Sequence, residues 1–398
     1  MIRPADLSQQ PNPLAVHYSH FRVAERLMLT GHSHQAWPDC GLAAQQQAWL
    51  DAAQFVDEKW DAALTQVARV KRGYASLLAD TSGQYALAVN THELVVRWLS
   101  ALPLRDRPVL VTSDGEFHSI RRQLDRLAEE GLQIVKVPAV PVQDLAGRLA
   151  DAVDDRTAAV LVSSVLYRSG RIVTGLGETM RACKRVGAEL LVDAYHSLNV
   201  VPLSLSQEGL EDAYVTGAGY KYCQLGEGNG FLRIPANCCL RPVITGWFAE
   251  FEALENEPEP GKVVYGKGAS RFAGATFDPT SHYRAAAVFE FFSELGLTIE
   301  VLREISQHQV SLLARHFDEL DLNPTLVTRD RSVSLIGQGG FLVLESPQAG
   351  KLQGLLKERG VLTDYRGTAL RLGPAPYLSD SQLEEAMGIF GEVARSLS

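Results

Sequence analysis

Between about residues 45 and 275 the chain alternates short apolar runs with helical patterns, and nothing else in the sequence restricts the fold as strongly. The runs Tyr85–Val89, Val109–Thr112, Ile134–Val137, Ala158–Ser163, Glu189–Val192, Ala213–Thr216 and Gly230–Ile234 are short, β-branched and bounded by Gly, Asp or polar residues. They read as buried strands. Helical stretches such as Glu93–Ala101, Ser119–Glu130 and Gly177–Val186 lie between them. Strands apolar on both faces need cover on both faces. The pattern therefore predicts an α/β fold, with a mostly parallel central sheet and helices on both sides.

After Pro279 the texture changes. Helical patterns run from Tyr283 to about Leu295 and from Ile299 to about Leu320. Strand-like pieces follow near Ser332–Ile336 and Gly340–Leu344, then a helix over Gln348–Arg359 and a last helix from Ser381. This part is expected to form a smaller C-terminal α+β domain, residues 280–398, beside a large domain at 45–279. The acidic, proline-containing stretch Glu255–Gly261 reads as a surface loop.

Composition narrows the partners. The 398 residues carry a formal charge of −9 without a long basic run, which argues against nucleic acid and anionic membrane surfaces. Apolar stretches such as Ala158–Val162 fall far below the roughly 20 residues of a membrane span. Met1-Ile2-Arg3-Pro4-Ala5-Asp6 lacks the apolar core of a signal peptide, so a cytoplasmic location is expected. Five cysteines form no C-x-x-C pair, in keeping with a reducing compartment. His32-Ser33-His34 could present two rings on one face of a strand, but no nearby Cys or acidic residue completes a ligand set. No metal is expected.

The chemistry concentrates in Leu190-Leu191-Val192-Asp193-Ala194-Tyr195-His196 and, 28 positions after Asp193, in Lys221 of Gly217-Ala218-Gly219-Tyr220-Lys221-Tyr222. An Asp ending a buried strand is costly unless it meets a cation. Lys221 sits in a Gly-rich turn after a later strand, and both residues would lie at strand ends where open α/β sheets bind ligands. Either alone could be a cap or a solvated surface group. Pyridoxal phosphate needs both: a lysine to bind its aldehyde and an Asp to keep its ring nitrogen protonated.

The chain resembles class V, fold-type I pyridoxal-phosphate enzymes, and among them kynureninases, over about residues 29 to 378. Asp193-x-x-His196 matches the pyridinium-binding Asp and its neighbouring His, and Tyr220-Lys221-Tyr222 the segment of the cofactor lysine. Gly246-Trp247-Phe248 resembles a motif beside the active site, and Arg371 in Leu370-Arg371-Leu372-Gly373-Pro374 the arginine that holds the substrate α-carboxylate. Asn90-Thr91-His92-Glu93 opens a helix after a strand, so its free amides suit a phosphate. By resemblance Thr91 and His92 contact the cofactor phosphate, and Phe117 stacks on the pyridine ring. Many relatives place a hydroxyl or thiol residue shortly before the lysine, where this chain has Ala218 and Gly219. Phosphate contacts would then come from Tyr220, backbone amides and a partner chain.

The resemblance further implies an N-terminal segment, 1–44, that lines the active site and joins the small domain. His32 and Ser33 would lie in the substrate pocket. Thr276 would reach the site, both cofactor and substrate, from a neighbouring subunit, which makes the functional unit a homodimer. The activity implied is hydrolysis of the Cβ–Cγ bond of kynurenine or a related aryl-keto amino acid, with Lys221, Tyr220 and Asp193 as catalytic residues. Alternatives are a class V aminotransferase, an epimerase or a C–S lyase acting on another amino acid. A persulfide-forming desulfurase needs a thiolate on a loop before the carboxylate-binding arginine, and Gly350–Arg371 contains no cysteine.

Overall fold

The apolar runs of the first two thirds assemble as one seven-stranded sheet. A computed structural model describes residues 4–6, 8–254 and 261–397. The expected acidic loop therefore lies, apart from Gly261, outside the described residues.

In chain order, strand β1 (Leu27–Met28) precedes helices α1 (Cys40–Phe55) and α2 (Lys59–Leu77). Then β2 (Tyr85–Ala88), α3 (Thr91–Ser100), β3 (Val109–Ser113), α4 (His118–Glu129), β4 (Gln133–Val137) and α5 (Leu145–Asp151) alternate. The pattern continues with β5 (Thr157–Ser163), α6 (Leu176–Val186) and β6 (Glu189–Asp193), followed by β7 (Tyr214–Ala218) and β8 (Gly230–Arg233). The strand order is β2-β8-β7-β6-β5-β3-β4. Only β8 runs against its neighbours; the pairs among β7, β6, β5, β3 and β4 are parallel. The core shows the two-residue period of a sheet covered twice. Val111, Val160, Val192 and Val215 face one apolar cluster, while Leu110, Leu161, Leu191 and Leu232 face another.

The smaller α+β part opens with α7 (Thr280–Glu294) and α8 (Ile299–Glu319). It continues through β9 (Leu342–Glu345), α9 (Ala349–Glu358), β10 (Val361–Leu362), β11 (Asp364–Arg366), β12 (Ala369–Leu372) and α10 (Asp380–Arg395). Strands β11, β12 and β9 form an antiparallel sheet. Strand β10 pairs with β1, which ties the N-terminal segment to this part of the chain. Ser379 and Gln382 build a reciprocal capping box at the start of α10.

Two expectations need correction. Ser332–Ile336 is not a strand. Asp330 Oδ1 accepts from the Ser332 amide and hydroxyl, and the Ser334 hydroxyl caps the Ile336 amide, so side chains satisfy the backbone locally. The boundary expected after residue 44 falls inside α1, which runs unbroken from Cys40 to Phe55. Among the described residues, no helix is long and apolar enough to cross a membrane.

One buried ion pair fixes the β2 edge of the sheet. Arg233 on β8 donates to Asp80 through Nε and Nη2, both at 3.1 Å, and the two side chains are 3% and 4% exposed. Asp80 also accepts from Tyr85 Oη at 2.8 Å. Removing one partner strands a buried charge. Asp80→Ala should lower the unfolding free energy by about 3–5 kcal/mol, read as a shifted urea midpoint with unchanged slope. A loss below about 1 kcal/mol, the size of an exposed pair, would contradict this account.

Candidate active site

Strands β3, β5, β6 and β7 end at Ser113, Ser163, Asp193 and Ala218, so their last residues share the carboxyl edge of the sheet. Strand β2 joins them there. Gly230 of the antiparallel β8 lies opposite both Ala88 and Ala218, which brings the end of β2 level with the end of β7. The turn Asn90-Thr91-His92 thus opens at the same edge as Asp193 and Lys221, where parallel α/β sheets bind ligands.

Lys221 is the centre of the site. It follows β7 in a turn that Gly219 makes possible, because a Cβ at 219 would lie 2.3 Å from Leu225 Cδ1. That packing also explains why no hydroxyl residue stands there. The ammonium is buried, and burial pulls its proton affinity well below that of an ordinary lysine. The Asp193 charge offsets part of this, while Arg371 adds to it. Nζ donates to His196 Nε2 at 2.8 Å. His196 is held neutral, first by burial and then by the Lys221 charge, so it accepts this bond without competing for a proton. The rings of Tyr195, Phe117 and Tyr220 lie 4.5, 5.4 and 5.8 Å from Nζ.

Asp193 closes β6 with its carboxylate buried. Oδ1 accepts from the Tyr195 amide at 2.8 Å, a local turn that sends the chain on to His196. Burial raises its proton affinity, while the Tyr195 amide and the Lys221 charge pull the other way. Phe117, half-buried at the start of α4, packs edge-on to Tyr167 at 5.2 Å and lies beside His196 and the Lys221 ammonium. Thr91 is buried and His92 exposed in the first turn of α3. Asn90 caps the Glu93 amide at 3.0 Å, leaving the preceding amides at the helix start for an anion. A flat, phosphorylated aldehyde with a basic ring nitrogen fits this set: a desolvated amine, a buried carboxylate, an aromatic face and a helix N-terminus.

Sequence reasoning missed Glu116. It is 2% exposed and accepts from Ser113 Oγ at 2.6 Å and Ser163 Oγ at 2.5 Å. Ser163 is the register partner of Asp193, and Phe117 is the next residue. Glu116 therefore ties the Phe117 loop to the strand beside Asp193. Its only sequence signal was a carboxylate directly before an aromatic in a strand-to-helix turn.

The substrate end differs from expectation at His32. The ring is fully buried, and its Nε2 meets Asp364 Oδ1 at 2.7 Å, which ties His32 to a carboxylate. Arg371 donates from Nε to Asp364 Oδ1 at 2.8 Å, from Nη2 to Asp364 Oδ2, and from Nη1 to the Tyr167 carbonyl at 2.6 Å. Ser33 is partly exposed beside His34, whose ring stacks on Tyr220 at 4.9 Å and 21°. The two histidines thus point to different partners. Among the described residues no group of three or more His, Cys, Asp or Glu could hold a metal ion.

Trp247 is 46% exposed and packs on Phe248 and Phe251. Thr276 lines a cavity of about 810 Å³ with Lys71, Arg97, Phe248 and His282, and that cavity also reaches Val89 and Glu93 on either side of the Asn90–His92 turn.

No family model matches the chain. It is 21% identical over 349 residues to the uncharacterized aminotransferase YcbU of Bacillus subtilis, covering 86% of this chain and 87% of that protein. It is 29% identical over 234 residues to a kynureninase of Bacillus cereus, covering 56% of this chain and 51% of that protein. This match spans about half the length of the kynureninase. Among solved structures, C-DES with glycine covalently linked to its PLP cofactor superposes with a TM-score of 0.84 at 17% identity, covering 96% of this chain and 100% of that chain. The fold is that of the fold-type I, class V pyridoxal-phosphate-dependent enzymes.

The Glu116 carboxylate yields a pH prediction. Burial raises its pKa to about 7, against the donated bonds of Ser113 and Ser163. A folded-state pKa above the unfolded value means that the native state binds more protons, so stability falls as pH rises from about 4.5 to 7. Glu116→Gln keeps an acceptor for the serines and removes that proton. Relative to this variant, wild type should lose up to about 3 kcal/mol of unfolding free energy across the window, at 1.36 kcal/mol per unit. Parallel curves for the two proteins would refute the buried, proton-binding Glu116.

Proposed function

We propose that the chain is a pyridoxal-phosphate-dependent enzyme that hydrolyses the Cβ–Cγ bond of kynurenine or a related aryl-keto amino acid, releasing alanine and an aromatic acid. The observation that carries this reading is the convergence of Lys221, Asp193, His196 and Phe117 at the carboxyl edge of the large sheet, with Arg371 of the small sheet near enough for its charge to act on Lys221. The partial likeness to kynureninases supports the choice of reaction.

When bound, the cofactor supplies an aldehyde for amines and a ring that withdraws electrons from the substrate Cα. Phe117 would cover one face of that ring, while Asp193 holds a proton on its nitrogen by opposing charge. Thr91 and His92 would take the phosphate at the start of α3. Lys221 is the residue for the covalent bond to the cofactor, and its burial favours the neutral amine that such a bond requires. The same amine, released, stands ready to move the Cα proton. Tyr220 faces Lys221 from the side of His34 and can hand a proton to the leaving carbon while water attacks the γ-carbonyl. Arg371 would hold the α-carboxylate.

The resemblance supports a homodimer in which Thr276 serves the partner's site. The chain exposes Val243 at 81% and Ile244 at 51%, and α1 exposes Trp49 at 79%. Apolar surface on this scale suits an interface. The segment Gly350–Leu370, which precedes Arg371, carries no thiol, so persulfide transfer is not part of the proposal.

The test is direct. Protein reconstituted with pyridoxal phosphate is mixed with kynurenine and with 3-hydroxykynurenine, and alanine and the aromatic acid are quantified. Stoichiometric appearance of both products is expected. Oxo acid or pyruvate formed from other amino acids, with neither product from the aryl-keto substrates, would replace this reading with an aminotransferase or C–S lyase.

A further inference from the structure

We propose that His32 and Asp364 are positioning residues for substrate recognition: they lock the Arg371 guanidinium so that it keeps one free donor on each terminal nitrogen for the substrate carboxylate. The inference rests on the amino-acid-binding reading above and goes beyond it, because it concerns two residues that touch neither cofactor nor substrate.

A guanidinium has five N–H donors. In Arg371, Nε and one Nη2 hydrogen go to Asp364, and one Nη1 hydrogen goes to the Tyr167 carbonyl. That leaves two, one on Nη1 and one on Nη2. The guanidinium also lies over the Phe341 ring at 5.7 Å, and the residue is 3% exposed. Such a group has little freedom to turn, and a fixed fork loses little entropy when it binds a carboxylate.

Asp364 needs an anchor of its own, since β11 is only three residues long and runs along the rim of its sheet. His32 provides it from the other end of the chain, through the 2.7 Å contact of Nε2 with Oδ1. A carboxylate only accepts, so Nε2 carries the proton and Nδ1 does not. Nδ1 is buried without a partner, against Gly373, where a Cβ would lie 2.2 Å away. Gly373 is therefore the residue that lets the ring pack beside β12. Burial keeps His32 neutral, with its pKa lowered to about 4.

Neutrality is what the position requires. Asp364 already meets two guanidinium groups, Arg371 and Arg366, so a charged His32 would be a third cation and would weaken its hold on Arg371, while an anion at that position would cancel the charge meant for the substrate. Asp364 and Arg371 already balance each other. Arg366, 3.4 Å from Asp364 Oδ2, leaves this corner with one positive charge in excess. A single carboxylate would complete it.

The experiment uses reconstituted holoenzyme and two probes, L-alanine and ethylamine, which differ by the carboxylate. Binding is followed by the change in cofactor absorbance. Wild type should bind alanine well ahead of ethylamine. His32→Ala and Asp364→Asn should weaken alanine at least about 10-fold, a loss within the range that misplaced binding groups cause. Both should leave ethylamine within about 2-fold. His32→Gln retains an N–H donor and should recover most of the alanine affinity. Equal losses for both probes, or no loss for alanine in either variant, would overturn the positioning role. So would a wild type that does not prefer alanine. A protein whose cofactor absorbance responds to no amine at all would instead refute the function proposed above.

Discussion

The structure turns on a buried amine beside a buried carboxylate at the carboxyl edge of a parallel sheet. Lys221 and Asp193 both lose water, and the cost of burial is offset in part by each other's charge, by a few hydrogen bonds and, for Lys221, by the Asp364 carboxylate. For stability alone such a pair is a poor investment. Apolar residues of the same volume would serve as well, which is why its presence directs attention to chemistry. Everything around it keeps the pair dry and aimed. His196 takes the Lys221 proton donor without adding charge, Tyr195 turns the backbone away from Asp193, and Gly219 lets the lysine turn pack on Leu225.

The same logic governs the second polar layer. Glu116 sits between two serine hydroxyls and braces the loop that presents Phe117, while Asp364 sits between His32 and Arg371 and braces the fork on the other side. Both are carboxylates whose work is done through a neighbour. They differ in charge state for a physical reason. Glu116 meets only neutral donors and is pushed toward protonation by burial, whereas Asp364 meets a guanidinium and is held ionised, well below the usual carboxylate range.

How much of this was legible in the sequence follows from the range of each interaction. Strands β3, β5, β6, β7 and β8 announce themselves because both faces are buried and the runs are largely apolar. Asp193 and Lys221 stand out as polar residues at the ends of such runs. Arg371 stands out through its apolar neighbours Leu370 and Leu372. What stayed hidden depends on partners far away in the chain. His32 and Asp364 are 332 residues apart, and nothing local tells a pocket-lining histidine from one that anchors a carboxylate. The strand expected at Ser332–Ile336 failed for the opposite reason, since hydrogen bonds over two residues outweighed its apolar content. The short β10 pairs with a distant segment, and both it and β11 carry too few residues for a period to show.

The central claim is that Lys221, buried between His196 and the aromatic rings and close to the Asp193 charge, is the lysine that holds pyridoxal phosphate. It is tested by adding the cofactor to purified protein, reducing with borohydride, digesting, and locating the modified residue by mass spectrometry. The account predicts one modified peptide, carrying the cofactor on Lys221. Label spread over exposed lysines such as Lys184 and Lys357, with Lys221 unmodified, would contradict it.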